Sequence, residues 1–156
     1  MEYRWQVTEF EQLANTALYA LLRLRQEVFC VEQNCVYLDM DNLDQEATHM
    51  LCWRDTQLVA YLRALPPGLC FPESSLGRIV VSPTARGTKL GYELVQRGIQ
   101  FNVEKWPDSN IQIGAQAHLN DFYGGLGFVA VGDKYIEDGI PHIHMIRPTF
   151  STREET

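Results

Sequence analysis

The chain has 156 residues, a length that fits one packed domain and offers no space for a second. Its composition, 46% hydrophobic and 21% charged, is that of an ordinary globular protein and excludes disorder, collagen and coiled coil. With 13 Lys plus Arg against 20 Asp plus Glu the net charge is -7, which works against a phosphate backbone and leaves no basic stripe for nucleic acid.

No apolar run approaches the roughly 18 residues that span a bilayer. Met1-Glu2-Tyr3-Arg4-Trp5 lacks the charged-then-apolar pattern of a signal segment, so a cytoplasmic protein without a membrane partner is the expectation. Cys30, Cys35, Cys52 and Cys70 match neither a zinc ribbon nor a small disulfide scaffold and read as free, mostly buried thiols. The acidic balance suits a cationic partner such as an amine, and suits solubility equally well.

Residues 3–7 alternate apolar with polar and predict an opening strand. Thr8 then reads as an N-cap with Glu11 three residues on. Phe10, Leu13, Ala14, Ala17, Leu18, Leu21, Leu24 and Val28 recur at helical spacing, predicting one amphipathic helix to about Phe29. Residues 32–46 place Asp39, Asp41, Asp44 and Glu46 among Asn34, Asn42 and Gln45, a loop composition of functional or lid-like type. Residues 48–54 and 58–65 read as an antiparallel hairpin across Asp55-Thr56-Gln57, ended by Pro66-Pro67-Gly68.

A further strand is predicted over 76–81, stopped by Ser82-Pro83. A second helix follows, with Leu90, Leu94, Val95, Gly98 and Phe101 on one side, and ends near Trp106-Pro107. Residues 110–116 form a strand with Ile111, Ile113 and Ala115 on one face, and a short helix follows at 120–124. Two strands, 128–131 and 142–147, close the chain across a polar segment at 132–141. This order implies an α/β (α+β) fold, a mixed sheet with helices on both faces, in a single domain over 1–150 with a loose tail at 151–156.

Residues 78–91 carry the chemistry: a strand feeds a glycine-containing turn that opens a helix. The first N–H groups of a helix lack partners within it and its dipole places partial positive charge there, so such a turn can hold an anion by backbone alone. Gly87 and Gly91 let a ligand come close, and Arg86 and Lys89 add positive charge. Glycines at this place also serve packing alone, and the two readings stand together. The turn is neither a Walker loop nor a Rossmann fingerprint.

Strand, turn and helix, followed by a strand and Phe122-Tyr123-Gly124-Gly125-Leu126-Gly127-Phe128, resemble the GNAT superfamily of N-acetyltransferases, whose turn reads Gln/Arg-x-x-Gly-x-Gly/Ala. Here the window is Arg86-Gly87-Thr88-Lys89-Leu90-Gly91, with Lys89 in place of the family's first glycine. Asn120, Phe122-Tyr123 and Leu126-Gly127-Phe128 are similar to the family's closing motif, except that Tyr123 follows Asn120 by three residues. The likeness covers nearly the whole chain and points to the ElaA-like branch. It rests on Leu24-Arg25-Gln26-Glu27-Val28-Phe29-Cys30-Val31-Glu32-Gln33, Asp39-Met40-Asp41, Gly114-Ala115-Gln116-Ala117-His118-Leu119 and Glu137-Asp138-Gly139-Ile140-Pro141-His142.

The resemblance implies a mostly antiparallel mixed sheet with two splayed central parallel strands, ending here near Val81 and Gln116, and acetyl-CoA as acyl donor in the gap, with no metal. Ile79, Val80 and Val81 would offer N–H groups to the pantetheine arm and to the thioester carbonyl. Arg86, Gly87, Thr88, Lys89, Leu90 and Gly91 would hold the phosphates, with Asn120 and Tyr123 completing the donor site. Tyr123 maps to the family's general acid for the departing thiolate; the alternative is a half-buried aromatic with a partnered hydroxyl.

An alkyl amine with a pKa of about 10.4 must lose a proton before it attacks. His49, His118, His142, Glu46 or the loop carboxylates through water could accept it, although a histidine in such a place is more often structural and hydrogen-bonded than a base. Arg25, Glu32 and Glu46, with Asp39, Asp41 and Asp44, line an acceptor entrance in such a fold or form a solvated loop. His142 and His144 share a strand face, a minor metal reading. Three functions follow: an N-acetyltransferase moving acetyl to a primary amine by direct attack in a ternary complex, a non-catalytic coenzyme A-binding regulatory module, and a metal-binding protein. The last would use Asp39-x-Asp41-x-x-Asp44, whose rhythm departs from a calcium loop. The acceptor is a small-molecule or peptide amine, and monomer and homodimer both stay open.

Overall fold

The computed structural model describes residues 2–149, so the tail expected at 151–156 lies outside them. Strand β1 (Arg4–Glu9) runs through Thr8, which therefore caps nothing. The chain makes a 3-10 turn at Phe10–Gln12 and enters helix α1 (Asn15–Arg25) from Ala14. The single long helix predicted to Phe29 does not form as such: Gln26–Glu32 widens into a π-helix, with the Gln33 N–H donating to Val28 O at 3.1 Å and the Cys35 N–H to Cys30 O at 2.9 Å. The predicted apolar face survives the change. Ala17, Leu21, Leu24 and Val28 are buried in one cluster with Leu51, Leu58, Tyr61 and Val80.

Strands β2 (Thr48–Arg54) and β3 (Gln57–Leu65) form the predicted hairpin, registered from Thr48↔Ala64 to Arg54↔Gln57. β1 pairs antiparallel with β2, from Arg4↔Trp53 to Glu9↔Thr48. Then come β4 (Ser74–Val81), α2 (Leu90–Lys105), β5 (Ile111–Gln116), α3 (Asn120–Gly124), β6 (Val129–Glu137) and β7 (Ile140–Arg147). In β5, Ile111, Ile113 and Ala115 are buried, the face the alternation predicts.

The closing hairpin is longer than predicted. Most of the segment read as a polar link is strand, with Tyr135, Ile136 and Glu137 opposite His142, Pro141 and Ile140. Asp138 and Gly139, at φ 50 and 78, supply the two positive-φ residues of a tight hairpin turn. The seven strands make one mixed sheet in the order β1-β2-β3-β4-β5-β7-β6, and β4 and β5 are the parallel pair, registered at Ser74↔Ile111 and Ser75↔Gln112.

The described residues gather into two compact units. The first holds the chain up to Ala64 and Arg78–Gly98, and is built on the cluster around Leu21 and Tyr61. The second holds Leu65–Gly77 and the chain from Ile99. There β5 pairs with β7 from Ile111↔Arg147 to Gln116↔His142, and Asn102, almost fully buried, donates to Ser74 Oγ at 3.2 Å and Ser75 O at 3.1 Å.

Candidate active site

In the first unit, β4 ends at Val81 and Ser82 Oγ accepts from the Thr84 N–H at 3.3 Å, capping a 3-10 turn at Pro83–Ala85. Thr88 Oγ1 donates to Ala85 O at 2.8 Å and closes the loop before α2. Gly87 has φ 80 and Lys89 φ 65, so Lys89 keeps the left-handed backbone that a glycine adopts without strain. The lysine therefore adds a side chain at a position whose backbone is one that glycine favours.

The packing explanation for the glycines finds little support. A Cβ on Gly87 would meet nothing within 4 Å, and one on Gly91 only Val81 Cγ2 at 3.6 Å, an ordinary contact. Arg86, Gly87, Thr88 and Lys89 are exposed at the start of a helix of 16 residues. Exposed positive charge, open space and a helix N-terminus fit a polyphosphate. Arg86 is held meanwhile by Glu32: Nη1 donates to Oε2 at 2.6 Å and Nη2 to Oε1 at 2.8 Å, and Arg86 Nε donates to Val81 O at 3.2 Å. These hydrogen bonds hold the Glu32 carboxyl below its ordinary range. Glu32, expected at the acceptor entrance, is thus bonded to Arg86 of the turn before α2.

The loop of aspartates is not a solvated lid. Arg25, 0% exposed, donates from Nε to Asp39 Oδ2 at 2.9 Å and from Nη1 to Asp44 Oδ1 at 2.8 Å. Arg63 from β3 donates to Asp41 Oδ1 at 2.9 Å and Asp44 Oδ1 at 2.8 Å. Arg78 from β4 donates from Nη2 to Asp39 O at 2.9 Å, and its Nε lies 2.7 Å from Asp39 Oδ1, an ion pair in which the N–H is not aimed at the oxygen. Tyr37 adds a hydrogen bond to Asp39 Oδ1 at 2.9 Å.

Three guanidinium groups face three carboxylates, and the buried charges cancel. Burial alone would raise Asp41 and Asp44, but Arg63 and Arg25 outweigh it and hold both below the usual carboxylate range, Asp41 well below it. This overturns two expectations. Arg25 does not line an open entrance, because its side chain has no surface. Asp39, Asp41 and Asp44 do not form a cation loop, because their oxygens are taken by arginines. Sequence reasoning missed Arg63 and Arg78, although an arginine inside an apolar strand run is itself a sign of buried carboxylates.

His49 joins the same region. It is 0% exposed, with Nδ1 2.5 Å from Tyr61 Oη and Nε2 2.9 Å from Asp44 O. A carbonyl can only accept, so Nε2 carries the proton and Nδ1 accepts from the tyrosine. Burial lowers the His49 pKa and keeps the ring neutral. Glu46 is exposed at the end of the 3-10 turn Asp44–Glu46.

The second unit carries Tyr123, buried on α3 and edge-on to Phe122 and Phe128 at ring separations of 5.1 Å and 5.9 Å. Burial pushes its phenol up to about 12. Asn120 is exposed at the first residue of α3, and His118 is exposed in the 3-10 turn before it. His142 is half-buried, with Nδ1 2.7 Å from Ile140 O and its ring stacked on Tyr135 at 5.8 Å. His144 lies 4.7 Å from Tyr135 and 5.5 Å from Phe71, ring to ring. No group of three His, Cys, Asp or Glu suited to a metal ion occurs among the described residues.

The acetyltransferase (GNAT) domain family matches residues 12–147. The chain belongs to the GNAT acetyltransferase family. The GNAT match takes in both units, and relatives extend it: the chain is 44% identical to UPF0039 protein sll0451 of Synechocystis sp., over 94% of this chain and 96% of that one. It is 43% identical to protein ElaA of Escherichia coli, over 92% and 95%. An acyl-CoA N-acyltransferase of Pseudomonas aeruginosa has a crystal structure that superposes with a TM-score of 0.90 at 45% identity, covering 94% of this chain and all of the other. The ElaA-like blocks in the sequence and the seven-stranded mixed sheet are thus those of GNAT proteins.

Proposed function

We propose that the protein is an N-acetyltransferase that moves an acetyl group from acetyl-CoA to a primary amine by direct attack in a ternary complex. The observation that carries the proposal is the turn at residues 86–91. Its left-handed backbone at Gly87 and Lys89, with unfilled space at Gly87, presents the N-terminus of α2 to an anion. The relative from Pseudomonas aeruginosa, described as an acyl-CoA N-acyltransferase, supports the same donor class.

In this reading Arg86, Gly87, Thr88, Lys89, Leu90 and Gly91 hold the donor phosphates. Ile79, Val80 and Val81 present backbone N–H groups to the pantetheine arm and the thioester oxygen, where negative charge grows as the amine attacks. Asn120 and Tyr123 serve the sulfur end. A phenol raised to about 12 stays protonated at neutral pH. Because that lies above the value of about 8.5 for a thiol, Tyr123 stabilises the departing thiolate chiefly as a hydrogen-bond donor. His49 takes no part as base: it is enclosed, with both ring nitrogens bonded. His142, whose Nδ1–H donates to Ile140 O and whose Nε2 then carries the lone pair, and Glu46 remain for the acceptor side. The acceptor is a small or peptide amine, and the chain works in the cytoplasm as monomer or homodimer. No helix among the described residues is long and apolar enough to cross a membrane.

Calorimetric titration with acetyl-CoA tests the proposal. Micromolar binding, abolished in a folded Gly87→Glu variant, supports it and justifies an amine screen by thiol release; no binding to the unaltered chain sinks it. Tyr123→Phe should then lower turnover about 10²-fold or more with donor affinity nearly unchanged. Equal turnover would remove Tyr123 from the chemistry, and binding without thiol release from any amine would leave a regulatory module.

A further inference from the structure

Arg78 stands inside β4 with φ 49, a left-handed conformation that any residue with a Cβ resists. The chain has a glycine one position earlier, at Gly77, yet the unfavourable conformation falls on the arginine. Such strain persists only where the surroundings over-determine it, and it gathers at ligand sites. Here the surroundings are specific. The guanidinium of Arg78 reaches Asp39 Oδ1 at 2.7 Å, Asp39 O at 2.9 Å and Asp41 Oδ2 at 3.4 Å, and lies 5.8 Å from the Tyr37 ring centre. Asp39 is immobilised in turn by Arg25 at 2.9 Å and by the Tyr37 hydroxyl at 2.9 Å. Arg25 is anchored on α1, and Asp41 is gripped by Arg63 from β3.

We propose that Arg78 is a positioning residue: clamped by Asp39 and Asp41, it holds a left-handed residue in mid-strand and so sets the direction of the backbone N–H groups of Ile79, Val80 and Val81. The catalytic consequence rests on the reading that those groups receive the acyl donor. The aspartate loop then serves the donor strand rather than the acceptor, and the six ion pairs among the three arginines and three aspartates have a common purpose in holding one backbone kink.

Two variants separate backbone from side chain. Arg78→Ala removes the clamp and keeps the steric resistance to positive φ, whereas Arg78→Gly removes the clamp and the resistance together. The first measurement is the amide chemical shifts of residues 79–81 in the ligand-free chain. They should move in Arg78→Ala and return toward their original positions in Arg78→Gly. The second is acetyl transfer, where Arg78→Ala should lose about 10-fold or more in kcat with the acceptor KM nearly unchanged, and Arg78→Gly should recover most of it. Thermal unfolding of both variants keeps loss of fold apart from loss of position.

Amide shifts unmoved by Arg78→Ala, or moved equally by both variants, would overturn the proposal. If Arg78→Ala does not fold, Arg78→Met, which fills the same space without charge, replaces it in the same comparison. If the unaltered chain fails to bind acetyl-CoA, the functional reading falls, while the amide shifts still decide whether Arg78 positions the strand.

Discussion

Arg25 and Arg86 make the same bond in two different media. Arg25 grips Asp44 with two nitrogens at 2.8 Å and 3.3 Å, and Arg86 grips Glu32 with two at 2.6 Å and 2.8 Å. The side chains of the first pair are 0% and 9% exposed, those of the second 42% and 45%. In the buried cluster, losing one partner strands a charge without water, so the arrangement is fixed. At the turn before α2 water can replace either partner, and the pair contributes only about 0.2–1 kcal/mol. The difference bears on the proposed roles: the charges of the buried cluster are fixed, whereas water can stand in for Glu32 beside the exposed Arg86.

The largest test of that contrast is Asp44→Ala. It leaves Arg25 and Arg63 each short of a carboxylate oxygen and should cost about 3–5 kcal/mol, a fall in thermal midpoint of roughly 6–20 °C for a chain of this size. A paired replacement, Arg25→Met with Asp44→Leu, should cost less than Asp44→Ala alone, because it removes one charge of each sign, and Arg63 keeps Asp41 while Asp39 keeps Arg78. A loss of under about 1 kcal/mol in the single variant, seen in urea unfolding, would put these residues on the same footing as a surface pair.

Acid should weaken the buried region before it touches the turn. The folded pKa of His49 lies below its unfolded value of about 6.5, so the unfolded chain binds the extra proton first. The stabilising contribution is complete above about pH 6.5 and is lost as the pH falls below it. The groups facing the ring act in opposite senses: Asp44 favours the charged form, whereas Arg25 and Arg63 oppose it together with burial. Asp41 and Asp44, also depressed, add a second loss below about pH 4. Urea unfolding at a series of pH values checks this. His49→Gln should flatten the first step and leave the second; a first step unchanged in His49→Gln would assign it to another group.

Most of the frame was legible from periodicity. The alternation in residues 111–116 and the helical spacing of Leu21, Leu24 and Val28 placed these side chains in the core, where they lie. The turn at residues 86–91 could be found because glycine and charge stand next to each other in sequence. The aspartate cluster was misread because a buried ion pair and a solvated loop have the same local composition, and only β3 and β4 bring the compensating arginines. The π-helical widening at Gln26–Glu32 left no mark on the apolar spacing, since Val28 stays buried. The polar composition of residues 132–141 masks the Asp138-Gly139 turn, although Asp-Gly between strand-forming residues is a strong hairpin signal.

At the turn, Lys89→Gly has two opposed effects. Relief of left-handed strain is worth about 1–2 kcal/mol, while the freer unfolded chain takes back about 0.5–1 kcal/mol, so a net gain of up to about 1.5 kcal/mol in stability is expected from the two together. Acetyl-CoA affinity should fall nonetheless, because an exposed cation is lost, and the deficit should shrink as salt rises. Unchanged affinity at low salt, measured by calorimetry, would remove Lys89 from the phosphate site.

The smallest effect is the most informative about exchange. If Arg86 leaves Glu32 for a donor phosphate, whatever the Glu32 pair contributes to the free chain must be given up on binding. Glu32→Gln removes that competition without removing the side chain. The pair is exposed, so its worth of about 0.2–1 kcal/mol corresponds to a gain in acetyl-CoA affinity of about 1.4- to 5-fold, with a thermal midpoint shifted by no more than a few degrees. The gain should be largest in dilute buffer and fade with salt, since the competing attraction and the phosphate contact are both screened there. An affinity that falls instead would mean that Glu32 holds Arg86 in the orientation the donor needs. In that case the exposed pair would be doing, at the surface, the fixing proposed for the buried cluster at β4, and the contrast between the two regions would be one of exposure alone.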